Sequence, residues 1–372
     1  MAGLLGSSPP SVQELQPLPG GGVGGPVVAS NNPESVTGEG VLYNTAGAVA
    51  SRGGTAYPLS GGFGIYFHHL NNSGGSLTYA VVLSNPGDAD VQVSATGTAT
   101  TGSETGGWTL GRTPPFVNSE NWIAQRPNVS LPTTTIAPRR AIIVAQKSLG
   151  TGVLAEGRLG VTTSGPVYVY VVATRGADSG SIINMATSIR RAAAGQYLTS
   201  GEPAPPPIGR EAGVYEFDTW KATIRSVVPP AGRHLCFVMN NCRGCFGNTQ
   251  PVQAFRALTR SPGSAAEAAG MYGNVYDVTF ELSHDGSDTR ARAARLFLTS
   301  MPPDGSLTRF WDGKGMVNGQ LLTIQSLPGR RNVDLATNVS VAPGATTPTK
   351  IQLRAMVPGL ASTPQALCLE ST

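Results

Sequence analysis

Charge is scarce in this chain. Asp, Glu, Lys and Arg make up 13% of its 372 residues, about half the share usual in soluble domains. Coiled coils and helical bundles are excluded, because their outer faces need that charge. Lysine is scarcer still, with only Lys147, Lys221, Lys314 and Lys350. The arginines fall in separate groups, Arg139-Arg140, Arg190-Arg191, Arg290/Arg292/Arg295 and Arg330-Arg331. They form no continuous basic stripe of the kind that tracks phosphates, so no nucleic-acid partner is expected. Long apolar runs are missing too. None approaches the roughly 18 residues of a spanning helix, so no membrane span is expected. P-loop, H-E-x-x-H and G-x-S-x-G patterns are also absent. Asp178-Ser179-Gly180 only faintly resembles a serine nucleophile loop. No enzymatic activity and no cofactor are expected.

Glycine and proline are what the chain has in quantity. The 48 Gly and 29 Pro are roughly a fifth of the residues, below the share expected of disordered chains. Between them run short period-2 stretches that read as strands. Phe63–Leu70, Leu77–Leu83, Val91–Ala95, Ala141–Val144 and Val167–Val172 are the first set. Tyr276–Leu282, Ala294–Leu298, Leu321–Ile324, Val339–Val341 and Ile351–Ala355 are the second. The turn Asn85-Pro86-Gly87-Asp88 in the first half is echoed by His284-Asp285-Gly286-Ser287 in the second. Ser181–Ala194 reads as a short helix, and Glu202-Pro203-Ala204-Pro205-Pro206-Pro207 follows as extended linker.

The expected architecture is therefore all-β: two tandem β-sandwich domains, immunoglobulin-like or jelly-roll-like, with one short helix between them. The boundaries read as an extended N-terminal arm over 1–40, a first sandwich over 41–177, helix and Pro-rich linker over 178–212, and a second sandwich over 213–372. Gly20, Gly22 and Gly25 formally spell G-x-G-x-x-G. With Pro17 and Pro19 before it and Pro26 after it, that stretch reads as extended arm and not as a dinucleotide site.

Four cysteines stand at Cys236, Cys242, Cys245 and Cys368. In an oxidising compartment they imply disulfides, most economically Cys242–Cys245 and Cys236–Cys368. A zinc site from His234, Cys236, Cys242 and Cys245 is the alternative, and free thiols a third. His68 and His69 are neighbours on a strand, so one is expected packed and the other exposed. His284 reads as a solvated turn residue. Trp108, Trp122, Trp220 and Trp311 lie near Gly, Asn, Thr or Asp. They read either as core or as loop-borne rings able to stack on sugar faces.

A resemblance runs along nearly the whole chain. It is carried by Leu18-Pro19-Gly20, Asn32-Pro33-Glu34-Ser35-Val36, Glu39-Gly40-Val41-Leu42 and Phe63–Leu70 with its His-His pair. It continues through Leu83-Ser84-Asn85-Pro86-Gly87, Ser164–Val169, Gly209–Val214 and Tyr272-Gly273-Asn274-Val275-Tyr276. In these stretches and their order the chain resembles an uncharacterised family of exported bacterial proteins, known mainly from cyanobacteria and carried as a domain of unknown function. Cys236–Cys245 departs from that pattern. The resemblance implies an envelope or extracellular setting and brings no activity or site residues. Low Lys and high Thr, Ser, Gly and Asn point the same way, although Met1–Gly6 carries no basic or apolar leader signal.

The functional expectation is a non-catalytic structural or interaction protein of a cell-envelope or extracellular assembly. Its partners would be other protein chains, copies of itself included. A carbohydrate-binding module using the Trp residues is the alternative, with polysaccharide as the partner.

Overall fold

A computed structural model describes residues 15–47, 56–103, 109–188, 210–231, 233–241, 251–261, 263–286, 289–300 and 310–371. In chain order the elements begin β1 (Leu15–Pro17), β2 (Gly21–Val23), β3 (Val27–Ser30), β4 (Ser35–Val36), β5 (Gly40–Asn44), β6 (Leu59–Asn71), β7 (Leu77–Ser84) and β8 (Val91–Ser103). Then come α1 (Pro114–Ile123), β9 (Val129–Ile136), β10 (Ala141–Leu149), β11 (Val153–Thr174), α2 (Ser179–Thr187), β12 (Ala212–Tyr215), β13 (Thr219–Val227) and β14 (His234–Asn240). The rest are β15 (Phe255–Arg260), β16 (Glu267–Ala268), β17 (Val275–Ser283), β18 (Arg292–Ser300), β19 (Trp311–Val317), β20 (Gln320–Ser326), β21 (Asn332–Val341), β22 (Thr349–Met356) and β23 (Gln365–Ser371). The all-β expectation holds.

The single-helix expectation does not. α1 is a second helix, and its start explains it. Thr113 caps it, accepting a hydrogen bond from the Phe116 amide at 3.1 Å, and Pro114 and Pro115 occupy the first helical positions. There their missing N–H groups have no intrahelical acceptor to lose. The helix expected over 181–194 is α2, and residues 189–194 lie outside the described residues.

Two compact units divide the chain, and neither is continuous in sequence. One comprises residues 24–218 and 255–268, the other 1–23, 219–254 and 269–372. The boundaries drawn at 40, 177 and 212 are corrected accordingly. Residues 15–40 are not a free arm, because β1 to β4 pair inside sheets and Val27 and Val28 are buried. Residues 1–14 lie outside the described residues, as does most of the Pro-rich linker.

The first unit is organised by β11, a single strand of 22 residues. Its N-terminal half pairs with β6 and β8, and its C-terminal half with β7 and β5. The register breaks between Thr163 and Val167, where Ser164-Gly165-Pro166 interrupts the ladder. Pro166 has no N–H to give, so the strand bends there and passes from one sheet to the other. Phe63, Ile65, Leu83, Leu159, Val161 and Val169 from the two sheets share one core. The outer faces are covered as well. α2 sets Ile182 and Ala186 against Val82 and Val172, and α1 lies against β8 and β11.

The second unit has a five-stranded sheet, β1-β14-β23-β18-β21, and a six-stranded one, β2-β13-β17-β22-β19-β20. Phe237 of the first meets Phe280 of the second edge to face, with ring centres 6.1 Å apart. The echoed turns have the same job in both units. Each carries the chain out of one sheet (β7, β17) into another (β8, β18) and does not close a hairpin.

Candidate functional site

Phe63–His69 of β6 and Leu154–Leu159 of β11 are buried on both sides, and polar side chains on them must find partners within the protein. His68 and His69 are both 1% exposed, which corrects the expectation of one packed and one exposed ring. His69 Nε2 meets Ser30 Oγ at 2.9 Å, and its Nδ1 donates to the Pro33 carbonyl at 2.7 Å. Burial lowers its pKa to about 3. On the opposite side of the strand, His68 Nδ1 lies 2.8 Å from Glu156 Oε2. Asn118 of α1 donates to Glu156 Oε1 at 3.2 Å and accepts from Thr98 Oγ1 at 2.6 Å. Ser30–His69 has the pairing of a nucleophile and base, yet Ser30 is 0% exposed. The pair joins β3 to β6 inside the protein.

Next along β11, Arg158 is buried across the same outer face. Its guanidinium donates to the Leu159 carbonyl at 2.7 Å and to Asp218 at 3.1 Å, and lies 5.0 Å from the Trp122 ring centre. Gly64 is required beneath it, since a Cβ there would stand 2.1 Å from Arg158 Nη1. Beyond Arg158 a shallow groove of about 590 Å³ runs over the sheet. Gly62 and Gly160 floor it, and Ser94, Thr96, Thr162 and Asp218 supply its polar groups. Trp122 reaches over Gly160, its ring edge 3.9 Å from where a Cβ would be.

The other predicted aromatics are dispersed. Trp122 sits on α1 and Trp220 on β13, neither on a loop. The Trp220 indole donates to the Pro19 carbonyl at 3.0 Å. Trp311, on β19, is 0% exposed and belongs to the core, so it is withdrawn as a ligand contact. Trp108 lies outside the described residues.

Of the cysteines, Cys236 of β14 and Cys368 of β23 are register partners joined as a disulfide, S–S 2.06 Å. That bond takes the Cys236 sulfur from the His234, Cys236, Cys242, Cys245 zinc set. Cys242 and Cys245 lie outside the described residues. Among the described residues no group of three or more His, Cys, Asp or Glu could hold a metal. His284 is not solvated: its side chain is 1% exposed, with Nδ1 accepting from the Gly286 amide and Nε2 2.9 Å from the Arg290 carbonyl. Asp178 is the cap of α2, accepting from the Ser181 amide at 2.9 Å.

Sequence reading missed a second concavity. Between the two sheets of the first unit, near the edges formed by β9 and β10, lies a cavity of about 400 Å³. Phe67, Val81, Ala145, Ala155 and Val171 give it apolar walls. Tyr79 and Lys147 also line it, and they are directly opposed across the β7–β10 ladder, hence on one face of the sheet. The only advance signal was the rarity of lysine on a strand of Ile, Val and Ala.

The family model described as "Protein of unknown function (DUF3370)" matches residues 13–126 and 184–302, more than half of the chain. The chain belongs to that family. The matched parts of this DUF3370 member include Ser30, His68, His69, Tyr79, Trp122 and Asp218, whereas Lys147, Glu156 and Arg158 lie in the segment between them. No curated protein matches the chain. Among the described residues no helix is long and apolar enough to cross a membrane.

Proposed function

We propose that this chain is a non-catalytic, exported bacterial protein, of a kind found chiefly in cyanobacteria, that works through its surface in a cell-envelope or extracellular assembly. One observation supports the reading above the others. The side chains best suited to chemistry, Ser30, His69, His68 and Glu156, are sealed into internal contacts. By contrast the exposed features are strand edges: among the described residues β9 pairs only with β8, and β10 only with β7. Such edges present unpaired backbone groups to a neighbouring chain. A disulfide in the second unit suits an oxidising setting outside the cytosol.

A second reading, binding of polysaccharide, is favoured by the groove at Trp122, where a ring edge adjoins a glycine floor and hydroxyl side chains. Labelling intact source cells with a membrane-impermeant amine reagent tests the exported setting. The expected result is labelling of the four lysine-bearing positions' tryptic peptides before lysis; labelling only after lysis contradicts the proposal. Retention on insoluble polysaccharide that Trp122→Ala abolishes would favour the second reading.

A further inference from the structure

The cavity between the sheets carries one more inference. Apolar residues share its walls with Thr100, Thr101, Asn128, Ser130 and Gln146, and Tyr79 and Lys147 stand opposite one another in the ladder, on one face of the sheet. Tyr79 is 4% exposed, and its hydroxyl is buried without a hydrogen-bond partner. A buried hydroxyl left unpartnered is destabilising, and a ligand acceptor would relieve it. The ring itself is held, packed edge-on against His69 with centres 5.9 Å apart. Burial raises the phenol's pKa, so the group remains a neutral O–H donor. Lys147, exposed on β10, has no acidic partner among the described residues. A lysine on an edge strand ordinarily guards against pairing with another chain. Here it also stands at a cavity whose buried donor is unfilled.

We propose that this cavity is a binding site for a small amphipathic carboxylate, with its hydrocarbon body between the sheets and its carboxylate accepting from the Tyr79 hydroxyl and facing the Lys147 ammonium. A cavity of about 400 Å³ is within the range of small-molecule sites. Phe67, Val81, Ala145 and Val171 suit an aliphatic or aromatic body. A donor and a cation on the same face select an anionic head over an alcohol or an amine. The site is independent of the assembly reading: either stands if the other fails.

Calorimetric titration of the full chain with hexanoate, octanoate, decanoate and 4-phenylbutyrate, against 1-octanol and octylamine, tests it. Saturable one-to-one binding of at least one carboxylate is expected, with 1-octanol weaker by about tenfold or more. Tyr79→Phe should weaken that carboxylate by about tenfold and leave the melting temperature unchanged or higher, since it deletes an unpartnered hydroxyl. Lys147→Glu, at an exposed position, should abolish the preference for carboxylate over alcohol while the protein stays folded. Absence of saturable binding across the acids overturns the proposal. So does binding equal for acid and alcohol, or binding indifferent to both substitutions.

Discussion

His69 sits where an imidazolium has no place. Burial opposes its charge, and the neighbouring His68 adds to that, so its pKa falls to about 3 from 6.5. As pH drops below about 6.5 the unfolded chain gains a proton that the folded chain refuses until about pH 3. Stability is therefore complete above that window and is lost within it, at about 1.4 kcal/mol per pH unit. Denaturant unfolding at pH 7.0 and pH 4.5 checks this. His69→Gln should shrink the acid-induced loss by about 2–3 kcal/mol relative to the natural chain; an unchanged loss would show that His69 does not govern it. The adjacency of His68 and His69 was plain in the sequence, and so was their alternation across the strand. Their joint burial was not, because it depends on α1 closing the outer face from fifty residues away. Tyr79 likewise read as one aromatic in a strand, and only the opposed register with Lys147 makes it half of a site.

At the scale of elements, strand positions followed from period-2 patterning because both units alternate large apolar residues with Thr, Ser or charge. Helix α1 did not follow, since two prolines conceal a helix start unless the preceding Thr113 is read as its cap. The sheet-switching role of β11 hid in plain view at Ser164-Gly165-Pro166, which reads equally well as an ordinary turn. The pairing of β14 with β23 is different again, because the cysteines single it out. Cys236–Cys368 closes a sequence separation of 132 residues, so the loop-entropy account assigns it roughly 5 kcal/mol. Cys368→Ala should lower the unfolding free energy of that unit by several kcal/mol, read by denaturant titration of the second unit's tryptophan fluorescence. Thiol counting under denaturing, non-reducing conditions should give no more than two free thiols. Four would contradict the disulfide.

For the whole molecule, the composition excluded more than it identified. Low charge and many turns pointed to strands, and strands dominate. The order of the units escaped the sequence because the chain leaves one unit and returns to it, so that β12, β15 and β16 serve the sheet begun by β3 and β6. The pairing of β12 with β3 sets Ala212 opposite Ser30 and Tyr215 opposite Val27, far apart in the chain, where local patterning is silent. Weak mutual repulsion follows from the small net charge of +4, and it favours association wherever strand edges are open. The direct test of the assembly reading is the mass of the native species, extracted gently from its own cells and measured by native mass analysis. The account predicts this 38.3 kDa chain in a species of at least twice that mass that sediments with envelope material. A monomer in the soluble fraction, unchanged when envelope material is added back, would contradict it.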